Sequence, residues 1–157
     1  MLISRTEAEH GAAEASGPAA GGDLGDGVVL DFGSGIPGFP GRRRYVVERL
    51  AAELEPFCVM RSMDDDAVTF VLVPPGVVFP DYTVEIDEQH VASLGLGSAE
   101  DVTVLAIVTV GQPPTANLLG PVVVNRKTKV AAQVVQYQSR YRAAEPIIVP
   151  SGSSAPR

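Results

Sequence analysis

Gly33-Ser34-Gly35-Ile36-Pro37-Gly38 has the G-x-G-x-x-G spacing of a dinucleotide-binding turn and follows the strand-like run Val28–Phe32. In that chemistry the glycines let the backbone approach a pyrophosphate, and a helix opening inside the motif turns its N-terminus toward the anion. Glu53 and Glu55 even stand at about the sequence distance of a ribose-binding acid. Pro37 and Pro40 oppose this assignment, because each steers the residue before it out of the helical region. The chain also lacks the alternating strand and helix units of a dinucleotide fold, so the segment reads as a structured turn. Asp64-Asp65-Asp66 could offer carboxylates to a hard cation such as calcium, but it lacks the spaced D-x-D-x-D-G ligand pattern and reads as a solvated hairpin tip. Cys58 would be a nucleophile only beside a histidine, and the two histidines are His10, in an N-terminal tail, and His90, on a helix-like segment. Cys58 therefore reads as a small buried hydrophobe and His90 as a partly exposed helix residue. Arg42-Arg43-Arg44 could bind a phosphate, but reads as strand-edge charge that discourages sheet-to-sheet association. G-x-S-x-G, H-E-x-x-H and P-loop sequences are absent, and no spacing singles out a pair of carboxylates for acid–base work. The sequence thus nominates no catalytic, cofactor-binding or metal-ligating residue and no cofactor.

The elements that would position any site are those of one domain in 157 residues. A net charge of −7 argues against a general affinity for nucleic acid or for acidic lipid, since both need positive charge near the surface. One cysteine excludes an internal disulfide and, with two histidines, the usual zinc sets. No apolar run approaches the roughly 20 residues of a membrane helix. Residues 1–26 are Ala, Gly and acid, with five acids and one Arg, and 150–157 form a Pro/Ser tail. Both lack the apolar area to offset ordering entropy and read as flexible tails around a domain at 27–149. Without a signal-peptide apolar stretch, and with a lone thiol, the expected location is the cytoplasm.

The 23 Val and 6 Ile against 11 Leu favour strands, because β-branched side chains lose rotamer freedom in helices and pack well on pleated surfaces. Eight short runs read as strands: Val28–Phe32, Arg44–Glu48, Phe57–Ser62, Val68–Val73, Tyr82–Ile86, Asp101–Val110, Pro121–Asn125 and Val130–Tyr137. Their spacing predicts a mainly β domain, a compact antiparallel β-barrel-like sheet with one or two short helices. The continuous apolar stretch Val104–Val110 belongs at its centre. Asp64–Asp66 and Asn125–Thr128 read as hairpin turns, while Pro74-Pro75-Gly76 and Gln112-Pro113-Pro114 interrupt the ladder. A helix is predicted over Glu88–Leu94, capped by Asp87 and ended by Gly95, and Arg49–Glu55 is a second helical stretch.

Four segments, in order, resemble the flagellar assembly factor FliW family over about residues 28–147. They are Phe32-Gly33-Ser34-Gly35-Ile36-Pro37-Gly38-Phe39; Pro56-Phe57 with Ser62 and Phe70-Val71-Leu72-Val73-Pro74; Pro80-Asp81-Tyr82; and Thr115-Ala116-Asn117-Leu118-Leu119-Gly120-Pro121-Val122-Val123-Val124-Asn125 followed by Gln133-Val134-Val135. Met60-Arg61 stands where the family commonly has Leu-Gln, Gly120 where it often has Ala, and the N-terminal tail is additional.

The resemblance implies a non-enzymatic, cytoplasmic, monomeric regulator that binds protein and neither nucleic acid nor membrane. Its implied partners are the translational repressor CsrA, whose repression of flagellin synthesis it relieves through a contact away from the RNA face, and flagellin itself. The residues nominated for partner binding are Ile36, Phe39, Asp64, Asp65, Asp66, Phe79, Asp81, Tyr82, Asn117 and Asn125. Acids, with Glu85, Asp87 and Glu88, would steer a basic partner, and apolar side chains beside turns would anchor it. Each has an architectural alternative: Pro37-Gly38 as a device of backbone geometry alone, and Asn117 as a group that bonds its own loop. A competing reading is a small β-barrel ligand-binding protein or enzyme with a pocket at the barrel mouth; a third is a purely structural subunit.

Overall fold

The structure, a computed structural model, describes residues 2–4, 26–33, 35–137 and 140–148. Expectations about the two tails fall outside the described residues, except that Leu2–Ser4 form a strand, β1. The others are β2 (Val28–Asp31), β3 (Arg44–Arg49), β4 (Cys58–Ser62), β5 (Thr69–Val73), β6 (Thr83–Glu85), β7 (Val102–Thr109), β8 (Thr115–Ala116), β9 (Val122–Asn125), β10 (Ala131–Gln133) and β11 (Glu145–Pro146). Two short helices, α1 (Pro75–Val78) and α2 (Glu88–Leu94), lie between β5 and β7.

The main sheet runs β10-β9-β7-β5-β4-β3-β2, with β8 on β7 and β11 on β8, and every ladder in it is antiparallel. β7 sits between β5 and β9, as its unbroken apolar run requires, because a strand covered on both faces has no polar side. The sheet curls until its first and last strands approach each other. A single parallel bridge, Asp31 to Val130, spans the gap, with the Asp31 N–H donating to the Lys129 carbonyl at 2.9 Å. The expected barrel is therefore a curled sheet that no continuous ladder closes.

Side-chain alternation divides the apolar residues into two cores. Leu30, Phe32, Ile36, Tyr45, Met60, Leu72, Leu105, Val122 and Val124 fill the inside of the curl. Val73, Tyr82, Ile86, Leu94, Ala106, Val108, Leu118, Val123 and Ile147 fill a second core between the outer face of β7–β9 and the covering segments. Successive residues of β7 and of β9 thus point into different cores, as the two-residue period of a strand dictates. A fully buried leucine such as Leu105 contributes about 1.5–3 kcal/mol over leaving it exposed.

α2 has the predicted bounds. The Asp87 carboxylate accepts from the His90 backbone N–H at 2.8 Å, and Gly95 ends the helix in the left-handed region at φ 67°. The His90 ring nitrogen lies 2.9 Å from the same carboxylate, and these bonds hold Asp87 below its ordinary pKa. Both hairpin tips are where expected, between β4 and β5 and between β9 and β10. In the second the left-handed residue is Lys129, φ 68°, while Asn125 organises the turn by hydrogen bonds.

Several expectations are corrected. Arg49–Glu55 holds only a three-residue 3-10 turn, Ala52–Leu54, too short to bury a face. The run Val130–Tyr137 pairs as a strand only over Ala131–Gln133. Beyond it, Val134 and Gln136 donate their N–H groups to Pro121 and Leu119 in the facing loop. Pro74-Pro75-Gly76 does interrupt the ladder, since β5 ends at Val73; the addition is that Pro75 opens α1, where its missing N–H removes no helical bond. Arg44 begins β3, which lies between β2 and β4, so the arginine run does not guard a sheet edge. β6 is not in the main sheet and pairs with β1 alone.

Candidate functional site

The glycine-rich segment folds back on itself as a tight turn. Ile36 and Phe39 form an isolated antiparallel bridge, and the Phe39 N–H donates to the Ile36 carbonyl at 2.7 Å. Gly35 is at φ 92°, and a Cβ there would stand 3.2 Å from the Phe39 carbonyl oxygen, so a side chain meets both backbone strain and the returning strand. No helix opens here; the segment is a turn, with none of the geometry of a pyrophosphate cradle. Its apolar residues face inward. Ile36 is only 3% exposed, and the Phe39 ring meets Phe70 edge-on at 5.4 Å.

The acidic hairpin tip docks against the end of this turn. The Arg42 guanidinium donates to Asp65 at 2.7 Å, and the Arg43 backbone N–H donates to Asp64 at 3.2 Å. The bond from Arg42, helped by the Ala67 N–H, holds the Asp65 carboxyl below its usual range. Asp65 is half-buried, whereas Asp64 and Asp66 are exposed. Part of the negative charge at the tip is therefore answered by the chain's own arginines. Deeper in, the Tyr45 hydroxyl and Arg42 Nε are buried with no hydrogen-bond partner, and burial raises the Tyr45 pKa.

A second site gathers Pro80-Asp81-Tyr82 with the loop after β8 and the C-terminal segment. Tyr82 donates its hydroxyl to the Leu118 carbonyl at 2.7 Å and is 5% exposed; burial pushes its pKa up. Its ring meets Tyr141 edge-on at 4.6 Å, and the Arg140 guanidinium carbon lies 5.5 Å from the Tyr141 ring centre. Between these rings, Phe79 and Leu118 runs a groove of about 340 Å³, with Asp81, Arg140 and Glu145 at its rim. Asp81 is exposed and Phe79 half-buried.

Asn117 bonds its own loop, since its side-chain oxygen accepts from the N–H groups of Leu119 and Gly120 at 3.0 and 2.9 Å. Asn125 is 2% exposed, and its carboxamide joins the end of α2 to the β9–β10 turn through Leu94, Gly95, Lys127 and Thr128. Of the ten nominated residues, the structure thus buries Ile36, Tyr82 and Asn125. It brings Ile36, Phe39, Asp64 and Asp65 into one neighbourhood and Phe79, Asp81 and Tyr82 into another. Sequence reasoning missed Tyr141 and Arg140, whose segment carries no local pattern tying it to Tyr82. Among the described residues, no group of three His, Cys, Asp or Glu side chains could hold a metal, and no helix is long and apolar enough to cross a membrane. Cys58 is partly buried, and desolvation pushes its thiol up to about 11.

The chain as a whole is similar to known proteins. The family model described as FliW protein matches residues 23–147. The flagellar assembly factor FliW of Bacillus licheniformis is 40% identical over 122 residues, covering 76% of this chain and 85% of that protein. The FliW of Bacillus subtilis is 36% identical over the same shares, and that of Treponema pallidum 35% identical over 123 residues, 76% of this chain and 81% of that one. Among solved structures, a crystal structure of the flagellar assembly factor FliW superposes with a TM-score of 0.69 at 30% identity, covering 77% of this chain and 86% of that one. The family-model match over residues 23–147, the identity to these relatives and the shared fold together make this chain a member of the FliW family of flagellar assembly factors.

Proposed function

We propose that the chain is a cytoplasmic, non-enzymatic regulator that binds a CsrA-type translational repressor and flagellin, coupling the flagellin level to its synthesis. Membership of the FliW family across residues 23–147 is the observation that carries this reading. The acidic surface is consistent with it: a repressor that binds RNA presents positive charge, which exposed Asp64, Asp66, Asp81 and Glu85 attract at long range. In this reading the exposed acids set the encounter rate, and Phe39, Phe79 and Asn117, each half-buried at a loop, contribute contact area. Ile36, Tyr82 and Asn125 hold those loops in shape and touch no partner directly. Asp65 contributes through its grip on Arg42.

Separate calorimetric titrations of the purified protein with the repressor and with flagellin test the proposal. Binding tighter than ~100 μM, about −5.5 kcal/mol, is expected for each at moderate salt. Failure of both to reach that affinity refutes it.

A further inference from the structure

The hairpin tip between β4 and β5 closes over one end of the inner core. Tyr45 stands opposite Ser62 in the β3–β4 ladder, and its ring packs with Phe32 and Phe70 inside the curl. The charges of Arg42 and Asp64 both act on its hydroxyl, so that group lies at the mouth of the curl, by the tip. The tip holds its own shape. Ser62 Oγ accepts from the Asp64 and Asp65 N–H groups at 3.0 and 3.1 Å. Asp65 accepts from the Ala67 N–H on its carboxylate at 3.0 Å and from the Val68 N–H on its carbonyl at 2.9 Å. Little fastens this turn to the segment it covers: the Arg42–Asp65 ion pair at 2.7 Å, the Arg43 N–H on Asp64 at 3.2 Å and the Met63 N–H on the Arg44 carbonyl at 2.9 Å. Met63, Asp64, Asp66 and Ala67 are exposed.

We propose that this tip is a strap over the mouth of the curl, latched by Arg42 and Asp65, that swings clear without unfolding the sheet and then presents Tyr45 and Arg42 to whatever reaches that end of the molecule. The latch is weak by its setting: its two side chains are 37% and 34% exposed, and an ion pair so placed is screened by salt. The closed strap also carries a standing cost. The Tyr45 hydroxyl and Arg42 Nε are buried with no hydrogen-bond partner, and both gain water when the strap lifts. A modest change of charge at the tip therefore shifts the balance between closed and open forms. Opening is local, because the β3–β4 ladder keeps Tyr45 opposite Ser62 while only the three fastenings give way. The strap goes beyond the proposed function, and its test uses neither partner, so either can fail while the other stands.

The full-length chain, Asp65→Asn and Tyr45→Phe are compared in about 0.02 M and about 0.5 M NaCl, which moves the screening length from well above the latch distance to near it. Nitration of Tyr45 by tetranitromethane, mapped by mass spectrometry and taken relative to the exposed Tyr137, reads access to the mouth. Hydrogen exchange at the Met63 N–H reads loss of a fastening. Tyr82, buried in the other core, and the Leu105 and Val123 N–H groups report unfolding of the sheet. In the wild type the higher salt is expected to raise Tyr45 nitration and Met63 exchange at least threefold each, with Tyr82, Leu105 and Val123 unchanged. Asp65→Asn is expected to raise both at least fivefold at low salt and to remove most of the salt dependence. Tyr45→Phe is expected to slow Met63 exchange at least twofold, because no hydroxyl is left to gain water. Tyr45 nitration indifferent to salt and to Asp65→Asn overturns the proposal. A rise shared with Tyr82, Leu105 and Val123 overturns it too, since the sheet itself is then unfolding. Faster Met63 exchange in Tyr45→Phe also overturns it, because the hydroxyl is then a fastening. Should Asp65→Asn not fold, Arg42→Gln takes its place with the same expectations.

Discussion

Replacing Asn125 with Ala distinguishes a loop organiser from a partner contact. The side chain makes four hydrogen bonds at a site 2% exposed: Nδ2 donates to the Leu94 and Gly95 carbonyls at 2.8 and 3.3 Å, and Oδ1 accepts from the Lys127 and Thr128 N–H groups at 2.8 and 3.2 Å. The four lost partners are not equivalent. Gly95, Lys127 and Thr128 are exposed, so water replaces the asparagine there at about 0.5 kcal/mol each. Leu94 is buried, and its carbonyl at the end of α2 is left without a donor, at about 2 kcal/mol. The expected loss is about 3.5 kcal/mol, roughly three-hundredfold in the folding equilibrium. With a urea slope of about 1.5 kcal/mol per molar, the midpoint falls by about 2 M. Urea melts followed by circular dichroism read this directly, with flagellin and repressor titrations at a temperature where both forms are folded. A loss under about 1 kcal/mol refutes the reasoning about the Leu94 carbonyl. Unchanged melting with weakened binding makes Asn125 a contact residue.

Three further outcomes are expected. Thr103→Val stabilises the protein by up to about 1 kcal/mol in urea melts, because the Thr103 hydroxyl is 1% exposed with no hydrogen-bond partner; a loss of stability would mean that this hydroxyl is satisfied in solution. Asp65 has its pKa lowered on folding, so its stabilising contribution is present at neutral pH and lost as pH falls through the folded-state value. Asp65→Asn therefore makes the thermal midpoint less sensitive to acid below about pH 4, and parallel midpoint-against-pH curves for the two proteins would contradict this. Cys58, with a pKa pushed to about 11, reacts with iodoacetamide at pH 8 far more slowly in the native protein than in urea. Equal rates, timed by mass spectrometry, would place its thiolate in the open.

The parts of the fold legible in the sequence were those with local chemistry. Asp87 and Gly95 bracket α2 with a cap and a left-handed stop, and the apolar stretch of β7 announces a strand covered on both faces. The hairpin acids and the Asn125 turn were legible for the same reason. β1 was not, because its pairing with β6 joins residues about 80 positions apart and three residues carry no period. β8 and β11 contain two residues each, below any pattern. The site divides in the same way. The Asn117 carboxamide in its own loop was an alternative visible in the sequence, and it is what the loop contains. Ile36 between Gly35 and Pro37, and Tyr82 two residues after Pro80, look alike whether a turn points inward or outward; the direction is fixed by Phe70, Leu118 and Tyr141, which come from distant parts of the chain.

β7 and β9 are a party wall between two oily rooms, and this constrains how the molecule comes apart. The room behind the Ile36–Phe39 turn and the room behind Tyr82 and Leu118 lean on opposite sides of the same two strands. Neither can be emptied without stripping a face of the wall that the other needs, so the domain is expected to melt as one unit. A ligand that gripped the turn on one side would therefore also raise the stability of the tyrosine pair on the far side, through the strands they share.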